Sequence, residues 1–229
     1  MNTKRYLTAI ASIAIIFFSF NNINDKQVKN SNTNIDKVKE LKSFYHKSIA
    51  DFTKVLDPKG LTKVIEKREV GTEDPDDAPL EYTLYTYFNS DTTLRYAFLT
   101  YNNRVESCSY YEINKAKSTA NNQSLKAKNL LLDFEKYLVN LKNLVPPKAE
   151  FNGYISAENG KFEKYYSRKD LILADFKAKT TTLNNARLEY YFDVEKVEVT
   201  YHRFEDNNNE YIFVYYGADL ATHQEYVKF

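Results

Sequence analysis

Leu80–Phe88 reads LEYTLYTYF, and its alternation decides the class of the fold. Leu80, Tyr82, Leu84, Thr86 and Phe88 fall on one side of an extended chain; Glu81, Thr83, Tyr85 and Tyr87 fall on the other. A period of two, carried by aromatic and β-branched residues, is the mark of a strand. Moving outward, residues 93–101 repeat the alternation with Leu94, Tyr96 and Phe98, and residues 104–113 form a third run. Asn102-Asn103 separates those two runs, and asparagine tolerates the left-handed backbone of a two-residue hairpin turn. Residues 61–70 supply another strand. Between it and residue 80 lie Pro75, Pro79 and the acids Glu73, Asp74, Asp76 and Asp77, which predict an irregular loop.

Helical periodicity flanks these strands. Ile35, Val38, Leu41, Tyr45, Ile49, Phe52 and Leu56 recur at spacings of three or four, predicting one helix over 35–56. Thr33 or Asn34 can cap its start, and Asp57-Pro58 with Gly60 ends it. Residues 115–123 (KAKSTANNQ) are polar and read as a connection. Ala127, Leu131, Phe134, Leu138, Leu141 and Val145 then predict a second helix over 124–145, stopped by Pro146-Pro147. Residues 162–167, 171–179, 187–192, 196–204 and 210–216 read as strands, with a turn over 206–209. The expected class is α+β. It has two halves, 35–114 and 124–229, each a helix packed on a meandering antiparallel sheet, and the two can form one continuous domain.

The N-terminus concerns destination. Lys4 and Arg5 precede an uncharged apolar run over 7–20, the order of a secretory signal peptide. The run is shorter than the roughly 20 residues a spanning helix needs, so cleavage is expected, with no membrane span afterwards. Residues 21–34 (NNINDKQVKNSNTN) have almost nothing to bury and read as a flexible, Asn-rich spacer. The protein is expected to be exported, to the periplasm or beyond the cell. Phe229 and Val227 resemble the end of an outer-membrane barrel strand, but Glu225 interrupts the apolar row.

Composition narrows the chemistry. Thirty-two basic residues against 31 acidic ones argue against a nucleic-acid binder that relies on bulk positive charge. One Cys allows no internal disulfide and, with three His, no dedicated Cys/His zinc site. Five scattered Gly make no phosphate loop, and no cofactor is expected. Cys108 lies in a predicted strand, far in sequence from His46, His202 and His223, and reads as a buried, inert thiol. The acids at 73–77 and the Asp206, Asn208, Glu210 alternation lack the glycine bend of a calcium loop, so no metal site is assigned.

The 20 tyrosines are the distinctive feature. If Leu84 and Phe88 face a helix-covered core, Tyr85 and Tyr87 face the other way, as a candidate surface for a protein, peptide or glycan partner. Cross-strand aromatic packing is the plainer explanation. The expected role is a non-catalytic binding module, within which inhibitor-like or immunity-like docking would fit. The alternatives are an exported hydrolase with a carboxylate or Cys–His site, and a structural protein anchored by an uncleaved signal.

Overall fold

The alternating runs pair edge to edge in a computed structural model that describes residues 36–70, 80–114, 130–204 and 209–218. Nine strands form one antiparallel sheet: β1 (Thr62–Val70), β2 (Leu80–Phe88), β3 (Leu94–Tyr101), β4 (Arg104–Asn114), β5 (Glu150–Ala157), β6 (Phe162–Tyr166), β7 (Leu183–Phe192), β8 (Glu195–Arg203) and β9 (Glu210–Ala218). Their order in space is β1-β2-β3-β4-β9-β8-β7-β5-β6. The ladder between β4 and β9, from Ser107 opposite Gly217 to Asn114 opposite Glu210, joins the two runs of strands into this single sheet. Among the described residues four α-helices accompany it: α1 (Asp36–Phe44), α2 (Ile49–Leu56), α3 (Leu130–Asn140) and α4 (Lys169–Lys179). The class is α+β.

Asn102 and Asn103 both take positive φ (48° and 65°), and the hairpin between β3 and β4 turns where expected. Gly60, at φ 68°, closes the short 3-10 turn Asp57–Lys59 that follows α2. The helix expected over 35–56 is instead broken. His46 takes φ 61°, its N–H donates to Val105 O at 2.9 Å, and Val105 N–H donates to Lys47 O at 2.9 Å. Two hydrogen bonds to β4 replace the helical ones there, and α2 starts afresh after Ser48. The Asp51 carboxylate accepts from the Ser48 N–H at 3.0 Å and its hydroxyl at 2.9 Å. A Ser followed three residues later by an acid is a start signal that apolar spacing alone passes over.

Two further corrections fall after the Pro146-Pro147 stop. Residues 171–179, expected as a strand, lie in α4. Its buried residues are Ile172 and Phe176, one helical turn apart, while Leu171 and Leu173 make a false alternation. Asp170 in the first turn and Lys177 and Lys179 in the last suit the helix dipole. Strand β5 has no counterpart among the expected strands. Gly153 is there for contact: a Cβ on it would lie 2.8 Å from Ile172 Cδ1 and 2.9 Å from Phe151 Cζ. The second expected helix is described from Leu130 onward, and its last turn is 3-10 (Leu141–Leu144).

All four helices lie on one face. α1 buries Val38, Leu41 and Phe44 over the β4–β9 junction, and Phe52 of α2 stacks on Phe98 with ring centroids 4.4 Å apart. Phe134 of α3 meets Phe176 at 5.6 Å and Tyr201 at 6.1 Å. Four tyrosines on this face bury their rings and reach a carboxylate with the hydroxyl. Tyr87 donates to Asp57 at 2.8 Å, Tyr166 to Asp175 at 2.7 Å, Tyr201 to Glu210 at 2.8 Å and Tyr216 to Glu195 at 2.7 Å. An apolar body with a polar tip is satisfied at both ends by this arrangement.

Candidate binding surface on the uncovered sheet face

Register now places the two tyrosines singled out as a partner surface. Tyr85 pairs with Phe98 and Tyr87 with Tyr96, and both of those partners are buried under the helices. Tyr87 is fully buried, and Phe52 of α2 lies 5.3 Å from the Tyr85 ring and 6.3 Å from that of Tyr87. The expected facing is therefore reversed. Leu84 and Phe88 belong to the opposite face, because two short helices sit on the side that carries the larger rings.

That opposite face is covered by none of the four helices. Its centre is an aromatic strip that crosses β4, β9 and β8. Tyr111 meets Tyr211 at 5.2 Å; Tyr211 meets His202 at 5.2 Å and Phe204 at 5.6 Å; His202 and Phe204 stand edge to face at 4.8 Å. All four are half-buried. Burial raises the pKa of the Tyr111 and Tyr211 hydroxyls, so both rings are neutral at physiological pH. Arg95 of β3 lies on the same face, its guanidinium pKa lowered by burial and supported by Glu66 of β1.

Beside the strip runs a charged ladder on β7 and β8. Lys196 Nζ lies 2.8 Å from both Glu189 Oε1 and Glu198 Oε2, and Arg187 lies 3.6 Å from Glu189. Burial alone would lower the Lys196 pKa, but the two carboxylates overcome it and hold the ammonium charged. Two cations and two anions cancel, so this ladder offers oriented hydrogen-bonding groups and no net charge to steer a polyion. Toward the far edge, the Arg187 guanidinium lies 6.0 Å from the Tyr154 ring, and Tyr154 lies 4.8 Å from Tyr165 of β6, which is 73% exposed. Tyr and Arg in contiguous, partly desolvated rows are the residue types that carry most binding energy at protein interfaces.

The other sequence candidates fall elsewhere. Cys108 is fully buried on the helix-covered face, where its Sγ donates to Leu41 O at 3.2 Å and Tyr216 O at 3.3 Å; burial pushes the thiol well up. His202 is on the opposite face, and the His46 ring lies on that of Tyr45 at 3.8 Å. His223, the acids of 73–77, Asp206 and Asn208 lie outside the described residues. Among the described residues no three His, Cys, Asp or Glu side chains converge as a metal site would need, and no helix is long and apolar enough to cross a membrane. A depression of about 360 Å³ between Pro146, Pro147, Lys148, Phe192 and Asp193 brings together one lysine and one carboxylate. No single strand displays the aromatic strip, because its residues come from β4, β9 and the end of β8. Two-residue alternation of Tyr211, Phe213 and Tyr215 is the signal that finds it. No family model, no characterised protein and no solved structure matches the chain.

Proposed function

We propose that the protein is exported and acts as a non-catalytic binding module whose contact surface is the uncovered sheet face. The observation that carries this reading is the strip Tyr111–Tyr211–His202–Phe204, half-buried on a face that, among the described residues, no helix occupies. Aromatic groups held in a rigid sheet lose little entropy on binding, and the flanking Arg187, Glu189, Lys196 and Glu198 supply oriented donors and acceptors. A protein or peptide partner fits this mixture best, because the charges cancel locally. The charged, apolar N-terminus supports export.

Site-specific photo-cross-linking tests the surface. A photoreactive phenylalanine replaces Tyr211 in one variant and Leu171, exposed on α4, in another. Discrete adducts from position 211 alone are expected. Identical adducts from both positions, or none from 211, would sink the reading. The mass of the mature N-terminus tests export: a start near residue 21 is expected, and an intact Met1 overturns cleavage.

A further inference from the structure

Side chains on the helix-covered face line up across the strands, in register, as Tyr216, Cys108, Phe98, Tyr85 and Ile65. The first three are buried and Tyr85 is half-buried, but Ile65 at the end of the row is 54% exposed. The core row therefore runs off the sheet into water at β1. Among the described residues strand β1 is an edge of the sheet, and its nine residues, Thr62–Val70, pair with β2 on one side alone. Its outer N–H and C=O groups form the template on which another extended chain can add. On the same side as Ile65, two residues before and two after it, stand Lys63 and Lys67, both exposed.

Those lysines choose the occupant. A second copy of β1, added antiparallel with Ile65 opposite Ile65, would set each Lys63 opposite a Lys67. Like charges directly across a ladder destabilise it. Acids at the same two places make favourable cross-strand pairs instead. Lys63 now lies 3.4 Å from Asp57 and Lys67 2.6 Å from Glu81, in solvent-exposed pairs that hold their partners weakly. We propose that β1 is a strand-addition site for an extended segment of a partner protein carrying acid-x-apolar-x-acid. The apolar residue continues the core row beyond Ile65, and the acids meet Lys63 and Lys67. The pattern reads the same in both directions, so it serves parallel and antiparallel addition. The site stands apart from the aromatic strip and does not depend on it.

The test titrates the full chain with a labelled heptapeptide, Thr-Asp-Thr-Val-Thr-Asp-Thr, followed by fluorescence anisotropy and amide hydrogen exchange. Saturable binding with slowed exchange at β1 is expected. Replacing both peptide acids by lysine should weaken binding about tenfold, the worth of two cross-strand charge pairs reversed. The double variant Lys63→Glu/Lys67→Glu should invert that preference while leaving the far-ultraviolet circular dichroism unchanged. Should the variant misfold, the two peptides on the wild-type chain still decide. Equal binding of both peptides, binding of neither, protection confined to other strands, or a dimer held through β1 in sedimentation each overturns the proposal.

Discussion

The two faces of the sheet use the same residue type in opposite ways. Under the helices, Tyr87, Tyr166, Tyr201 and Tyr216 are buried and each donates its hydroxyl to a carboxylate. On the uncovered face, Tyr111 and Tyr211 pack ring to ring, and Lys196 lies over Tyr191 at 5.4 Å. A ring sealed under a helix must find a partner for its hydroxyl, because an unpaired buried polar group is costly. The rings of Tyr111 and Tyr211 are half-buried and pack on each other, so part of each stays in contact with solvent. Tyrosine under the helices is scaffold; in the strip of Tyr111 and Tyr211 it keeps part of its ring at the surface.

Alkali has the largest expected effect, and it tests the buried tyrosines of both faces together. Burial pushes Tyr190, on the covered face, up to about 12, and burial with Glu106 and Tyr101 pushes Tyr82, on the uncovered face, to about 12. A group whose folded pKa is raised contributes stability in full below its ordinary value of 10. That contribution is lost as pH rises through the folded value. Stability should therefore fall steadily above pH 10, and tyrosinate absorbance and circular dichroism should change together near pH 12. A complete tyrosinate signal in a still-folded protein would refute the burial described.

Phe98→Ala comes next. Phe98 is fully buried and lies against Phe44 at 5.4 Å and Phe52 at 4.4 Å, so its truncation should cost about 4 kcal/mol in denaturant unfolding. Phe213→Ala, on the uncovered half-buried row, should cost less than about 2 kcal/mol. Equal losses would erase the distinction between the faces. Gly217→Ala should cost about 3 kcal/mol, since a Cβ there would sit 2.4 Å from Ser107 Cα and 2.7 Å from Glu106 O. A β-bulge brings β4 this close: Leu99 pairs with Ser107 and Thr100 with Val105, leaving Glu106 over. The smallest effect separates the hydroxyls. Tyr87→Phe should lose about 1 kcal/mol with its bond to Asp57, while Tyr211→Phe should stay within about 0.5 kcal/mol of the wild type. A larger loss at Tyr211 would mean that its hydroxyl is structural too.

Strand content was largely legible from the chain, and so was the Asn102-Asn103 turn, because pairing propensity and turn chemistry are local. The broken helix was not. Apolar spacing continues through Tyr45 and Ile49 while the backbone leaves the helix to bond Val105, a residue distant in sequence. Residues 171–179 satisfied two periodicities at once, and packing of Ile172 against Gly153 favours the helical one. The Tyr85 and Tyr87 assignment failed for a related reason. Alternation sorts β2 into two sets, but Leu84 with Phe88 and Tyr85 with Tyr87 are comparably apolar, so either set can face inward.

By itself, then, the sequence determined the class, the strands and turns set by local chemistry, and a chain short of cysteine and glycine. Tertiary structure alone decided that β4 pairs with β9, that all four helices share one face, and that Tyr211 and Ile65 remain in contact with water. Pairing between distant strands and the choice of buried face depend on the summed fit of many side chains, which no local pattern carries.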